Sequence, residues 1–161
     1  MVNHKRVDRI YREEGLSLRL KRRRKRATQL RVVRPQPQRA NEAWSMDFVH
    51  DSLYWGRKFR CLTIVDDLTK QSPAIEADFS ITGKRVTQVL DRLAFTHGLP
   101  EIIRIDNGPE FQSKALDEWA YKNHVKLDFI RAGKPTDNAY IESFNGKFRD
   151  ECLNESWFKS L

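Results

Sequence analysis

The spacing of apolar residues changes period along this chain, and the changes mark its elements. Between Trp44 and Asp51 the apolar positions alternate, with Trp44, Met46 and Phe48 on one side and Ser45, Asp47 and Val49 on the other. A period of two is the mark of a half-buried strand. Ser52 to Arg57 contains Gly56 and predicts a turn. Phe59 to Val65 then reads as a second strand, ending at Asp66 and Asp67, and Ala74 to Phe79 as a third. Their short connections predict an antiparallel meander. After that the period lengthens: Val86, Val89, Leu90, Leu93, Ala94 and His97 recur at helical spacing, with Thr82 as N-cap and Gly98 and Pro100 as stops. Ile102 to Asp106 is a fourth strand. Leu116, Trp119 and Ala120 indicate a short helix, Val125 to Ile130 a fifth strand, and a polar loop from Arg131 to Asp137 leads to a last helix from about Asn138. In that helix Ile141, Phe144, Phe148 and Cys152 form the core-facing stripe. Strands joined through helices run parallel. The expected fold class is therefore α/β, a five-stranded mixed sheet with flanking helices.

Ahead of this region the pattern is different. Val7, Ile10, Tyr11 and Glu14 fall at helical spacing, and Gly15 can end that helix. The run LKRRRKR follows, from Leu20 to Arg26. Next, the stretch from Arg31 to Trp44 has two prolines and no periodicity, which reads as a linker. The expected division is a basic helical arm over 1–26, a linker over 27–42 and a globular core over 43–161. Charge supports it: residues 1–40 hold 14 of the 30 Lys and Arg but only three of the 22 Asp and Glu. A basic arm on a mildly acidic core suggests a polyanionic partner, nucleic acid before membrane. No apolar run is long enough to span a bilayer, and the N-terminus has no apolar signal core. Cys61 and Cys152 are too few for a disulfide framework and fit a reducing cytoplasm. No Cys or His pair has zinc spacing.

Three acids stand out by their settings. Asp106 ends an apolar strand and opens the turn Asp-Asn-Gly-Pro, and a buried charge is costly without a partner. Asp47 lies in the middle of the first strand among apolar neighbours. Glu142 heads a helical stripe with Asn145, Gly146 and Arg149, beside the core-facing one. Each has an ordinary reading as well: a turn residue, a hydrogen-bonded structural acid, an exposed helix acid. Taken together, they can meet in one cleft, because open α/β sheets bind ligands beyond the C-terminal ends of parallel strands. Three carboxylates that close repel one another. Divalent cations with a taste for hard oxygen ligands, Mg²⁺ above all, would remove the conflict, and a pair of them suits in-line phosphoryl displacement. Gly146 makes sense if something approaches the helix closely. Asp51, Asp66, Asp67 and Glu110 read as turn caps or paired surface acids, Trp44 and Trp55 as core, and His97 as structural.

At these residues the chain resembles a known family. WSMDFV, VVDD, IRIDNGPEF and PTDNAYIESFNGKFRDECLN, in that order, resemble the integrase-core transposases of bacterial insertion sequences, whose catalytic region is similar to retroviral integrase. The resemblance covers residues 41–161. It implies a ribonuclease H-like fold and places the family's Asp-Asp-Glu (DDE) triad at Asp47, Asp106 and Glu142, as catalytic residues and as ligands of two Mg²⁺ or Mn²⁺ ions. It implies a polynucleotidyl transferase that nicks DNA at an element's end and joins the freed 3′-hydroxyl to a target. Arg149 then positions a DNA phosphate, with Asn145 beside it. The arm from Asn3 to Arg26 resembles the tail of a helix-turn-helix DNA-binding segment, with Lys21, Arg22, Arg23, Arg24, Lys25 and Arg26 as phosphate contacts. DNA, as element ends and target, is the expected partner, a homodimer or higher assembly the expected active form, and the bacterial cytoplasm, at the nucleoid when bound to DNA, the expected location. Family members usually run further, with a helix and an Arg- and His-containing tail after NESWFKSL. This chain begins within the DNA-binding segment and stops at Leu161 inside that expected helix, so it reads as truncated at both ends. Two other functions are compatible with the same residues: a nuclease of this fold that only hydrolyses, and an inactive DNA-binding remnant.

Overall fold

The computed structural model describes residues 3–16, 36–130 and 139–161. The run from Lys21 to Arg26 and the loop from Arg131 to Asp137 lie outside the described residues. Helix α1 (His4–Glu13) belongs to one compact unit and the described residues from 36 onward to a second. In α1 the Asn3 side chain caps the helix by accepting the Lys5 N–H at 3.0 Å. Gly15 follows at φ +63°, a conformation that favours glycine. None of the α1 residues is buried.

The second unit contains β1 (Ala43–Ser52), β2 (Lys58–Asp66), β3 (Ala74–Asp78), α2 (Gly83–Thr96), β4 (Ile102–Ile105), α3 (Lys114–Lys122), β5 (Lys126–Phe129) and α4 (Ala139–Phe148). The strands make one sheet in the order β3-β2-β1-β4-β5. β1, β2 and β3 pair antiparallel, while β1–β4 and β4–β5 pair parallel. This is the mixed five-stranded sheet that the periodicity predicts. From Gln36 onward the expected linker is tied to this unit: Pro37 is buried, and Asp66 accepts the Asn41 N–H at 2.7 Å.

The alternation in β1 sorts the two faces. Trp44 and Met46 point into the main core with Leu62, Ile64, Ile103 and Ile105, under Val86, Leu90 and Leu93 of α2 and Leu116 and Trp119 of α3. Thr82 caps α2 as predicted, accepting the Arg85 N–H. The opposite face of β1 and β2 carries Ser45, Asp47 and Thr63, and α4 packs over these strands. Farther along this face Val49, Phe59, Cys61 and Leu153 form a second, smaller core.

Several expectations are corrected. Trp55 is 76% exposed and not core, because it sits in the β1–β2 turn beside Gly56. His97 is the exposed C-cap of α2, since the helix ends at Thr96 before the stripe reaches it. After Phe148 the helix widens into one π-helical turn, Arg149–Leu153. The extra residue rotates the register, so Leu153 is buried and Cys152 only half-buried. Residues 154–161 are not helical. Asp66 is a turn cap and Asp67 is paired with Arg104, as expected of them, but both are buried and not at the surface.

Candidate active site

Asp47 stands opposite Thr63 in the β1–β2 register. Its Oδ1 accepts the Phe48 N–H at 2.7 Å, and its Oδ2 accepts from Asn145 Nδ2 of α4 at 2.8 Å. Asn145 Oδ1 in turn accepts the Thr63 hydroxyl at 2.8 Å. Burial pushes the Asp47 carboxyl above its usual range. The charges of Asp106 and then Glu142 push it further, against the pull of the Phe48 and Asn145 hydrogen bonds. Asp106 and Glu142 therefore each lie within electrostatic reach of Asp47.

Asp106 sits just beyond the end of β4, next to β1 in the sheet. Its turn is built from the predicted Asp-Asn-Gly-Pro chemistry: Oδ1 accepts the Gly108 N–H at 2.9 Å, and Asn107 Nδ2 donates to the Ile130 carbonyl at 2.9 Å. A Cβ on Gly108 would stand 2.9 Å from that same Oδ1, so the glycine makes room for the carboxylate. The segment after the turn is held from two sides. Glu110 is ion-paired with Arg60 of β2, and Phe111 stacks on Phe48 with ring centroids 4.9 Å apart. Asp106 thus makes the expected turn and Asp47 is hydrogen-bonded, as the ordinary readings of both have it.

Glu142 lies exposed in the first turn of α4. Asn145 is half-buried with both ends of its amide turned inward. Arg149 is exposed and donates to the His50 carbonyl at 3.0 Å. Gly146 faces open space, with nothing within 4 Å of where a Cβ would be. Among the described residues no three acid, histidine or cysteine side chains are drawn together tightly enough to hold a metal ion. Like charges resist that approach, and the hard oxygen donors of Asp47, Asp106 and Glu142 are the kind that suit Mg²⁺ or Mn²⁺. In donor chemistry the set fits the ions; it is not already closed around them.

Sequence reasoning passed over the polar layer beneath this site. Arg104 of β4 is buried and donates to Asp67 Oδ2 at 2.6 Å, while Ser45 donates to Asp67 Oδ1 at 2.6 Å. Ser45 and Arg104 are register partners across β1 and β4, so this network joins the two strands that carry Asp47 and Asp106. An arginine between isoleucines in a buried strand was the available signal. Thr63 gave none, since a threonine in a strand is ordinary.

A five-stranded mixed sheet with helices on both faces, and acids on its central strand and at the end of the parallel neighbour, define a ribonuclease H-like α/β core of the kind found in retroviral integrases. More particularly, the chain belongs to the integrase core domain family: one sequence profile of that description matches residues 37–135 and a second matches residues 123–161. The 31.7 kDa protein of insertion element IS407 from Burkholderia multivorans is 55% identical over 160 residues, which cover 99% of this chain and 58% of that protein. The 39.2 kDa protein of insertion element IS476 from Xanthomonas euvesicatoria is 48% identical, covering 99% of this chain and 46% of that protein. The chain thus spans about half the length of these relatives. Among solved structures, the HTLV-2 integrase catalytic core in complex with magnesium superposes with a TM-score of 0.56 at 22% identity, covering 71% of this chain and 75% of that one. A simian T-cell lymphotropic virus intasome bound to a PP2A regulatory subunit gives 0.60 at 20% identity, covering 71% and 43%. At these identities the likeness is one of fold.

Proposed function

We propose that this chain is the catalytic core of an insertion-element transposase, a polynucleotidyl transferase that cleaves DNA at the element's ends and joins the 3′-hydroxyl to target DNA. The observation that supports the reading is that Asp106, just beyond the end of β4, and Glu142, on α4, both act on the carboxyl of Asp47 on the central strand and push it up. Asp47, Asp106 and Glu142 would hold two divalent cations, Mg²⁺ or Mn²⁺, which when bound supply the positive charge that stabilises the entering and leaving oxygens of an in-line displacement. The magnesium in the HTLV-2 integrase core and the family membership both support that choice. The protein's own part is placement. Asn145 and the Phe48 N–H hold the Asp47 carboxylate, and the Gly108 N–H holds that of Asp106. Arg149 at the edge of the site is suited to a DNA phosphate, and Lys21, Arg22, Arg23, Arg24, Lys25 and Arg26 to phosphates along the duplex. Joining two ends calls for at least two copies. The HTLV-2 core occurs in trimeric and dimeric forms, which supports a homodimer or higher assembly by analogy. No helix among the described residues is long and apolar enough to cross a membrane, and a protein that works on bacterial DNA would act in the cytoplasm.

The test is a joining assay with a labelled 3′-hydroxyl end and a second duplex. Covalent transfer in Mg²⁺ or Mn²⁺ is expected, falling to background in Asp47→Asn, Asp106→Asn and Glu142→Gln. Cleavage without joining would replace the reading by a hydrolytic nuclease. DNA binding without either, together with cation binding that Glu142→Gln leaves unchanged, would replace it by an inactive DNA-binding remnant.

A further inference from the structure

Thr63 is fully buried on β2, directly across from Asp47. Its hydroxyl has one proton to give. The shorter of its two contacts runs to Asn145 Oδ1 at 2.8 Å, the longer to the Asp47 main-chain carbonyl at 3.2 Å. An Asn amide has an oxygen end and an N–H₂ end, and the pairing of one end fixes the direction of the other. With Oδ1 held by Thr63, Nδ2 is aimed at Asp47 Oδ2, where it donates at 2.8 Å. Flipped, the amide would press its oxygen against the carboxylate. Asp47 Oδ1 is held independently by the Phe48 N–H at 2.7 Å. The carboxylate is thus pinned at both oxygens, yet each keeps lone-pair capacity for a further partner.

We infer that Thr63 is a positioning residue: through Asn145 it holds the Asp47 carboxylate in the orientation that takes a divalent cation. This rests on the metal role of Asp47 proposed above and adds to it a strand residue that never touches the ion. It also gives Asn145 an inward task, separate from DNA contact. Groups that orient a metal ligand through one hydrogen bond are typically worth about 10–100-fold in affinity.

The experiment is a Mn²⁺ titration of the whole chain without DNA, followed by electron paramagnetic resonance. Thr63→Val should weaken Mn²⁺ binding by about tenfold, and Thr63→Ser, which keeps the hydroxyl, should bind close to wild type. Asn145→Ala should lose as much as Thr63→Val or more. The double variant should be no weaker than Asn145→Ala alone, because Thr63 acts through the amide. A second readout needs no metal: the Asn145 side-chain amide protons should be slow to exchange in wild type and Thr63→Ser, and fast in Thr63→Val. Wild-type affinity in Thr63→Val, or losses that add in the double variant, overturns the inference. Asp47→Asn separates the two readings. If it binds Mn²⁺ as wild type does, the metal role falls and this inference with it. If it loses binding while Thr63→Val keeps it, only the positioning role falls. Should Thr63→Val fail to fold, Thr63→Cys, with a weak donor of similar size, is expected to show the same loss; wild-type binding there overturns the inference equally.

Discussion

Asp66 shows what a single carboxylate does for this fold. Its Oδ1 accepts the N–H groups of Leu68 and Thr69 at 2.9 and 2.8 Å, and its Oδ2 that of Asn41 at 2.7 Å. It therefore caps the turn after β2 and fastens the entry to β1. Burial raises its carboxyl, but the hydrogen bonds from Thr69, Asn41 and Leu68 outweigh it and hold the group below the ordinary 3.8. The sign follows: below 3.8 the unfolded chain binds the proton more readily than the folded one. The contribution is thus present above 3.8 and lost as pH falls through the lower folded value. Asp66→Asn, which turns one acceptor into a donor against the Asn41 N–H, should cost roughly 1–3 kcal/mol at neutral pH. Urea melts at about pH 7 and about pH 3 check it, since the gap between variant and wild type should shrink at the lower pH. An equal gap at both would show that the charge plays no part. Sequence left Asp66 as a turn cap or a paired surface acid, and the cap was legible because turn chemistry is local. It missed the burial, because the Asn41 partner comes from 25 residues away. Arg104 was missed for the same reason: its value lies in Asp67 and Ser45, and neither is near it in the chain.

At the level of elements, periodicity and caps were legible wherever one element faces one core. α2 starts at its Thr82 cap and stops before Gly98, which has φ +83°. The last helix was legible only as far as Phe148. A period of 3.6 cannot anticipate a π turn, whose extra residue moved the buried position from Cys152 to Leu153. The contact between α2 and α3 was not legible either, and it yields a test. A Cβ on Gly83 would run into the side chain of Ser113, the N-cap of α3, and lie 3.0 Å from the Glu110 carbonyl oxygen. Ala is the better helix former by about 1 kcal/mol. Crowding should still win, because backbone and a cap must move together, at a cost of roughly 1–3 kcal/mol. Gly83→Ala is therefore expected to lower the melting temperature, and Gly83→Ala with Ser113→Gly to recover part of the loss. A rise in the single variant would mean the two helix starts are not in contact.

For the molecule as a whole, the decisive quantity is where its charge lies. Residues 41–161 carry 16 basic and 19 acidic residues, so net charge gives the core no attraction for a polyanion. The excess positive charge lies in residues 1–40, with six of its cations in the unbroken run from Lys21 to Arg26. If DNA is the partner, that run is the densest source of electrostatic attraction for it in this chain. Each cation that neutralises a phosphate releases counterions and adds about 0.9 to the slope of log affinity against log salt. Six such contacts would give a slope contribution of about 5. Replacing Lys21, Arg22, Arg23, Arg24, Lys25 and Arg26 by Gln should weaken duplex binding steeply at low salt and flatten the salt dependence by that amount, measured by fluorescence anisotropy over a KCl series. Arg149→Gln, a single contact at the site's edge, should change the slope by about 1. An unchanged slope in the six-fold variant would show the run idle.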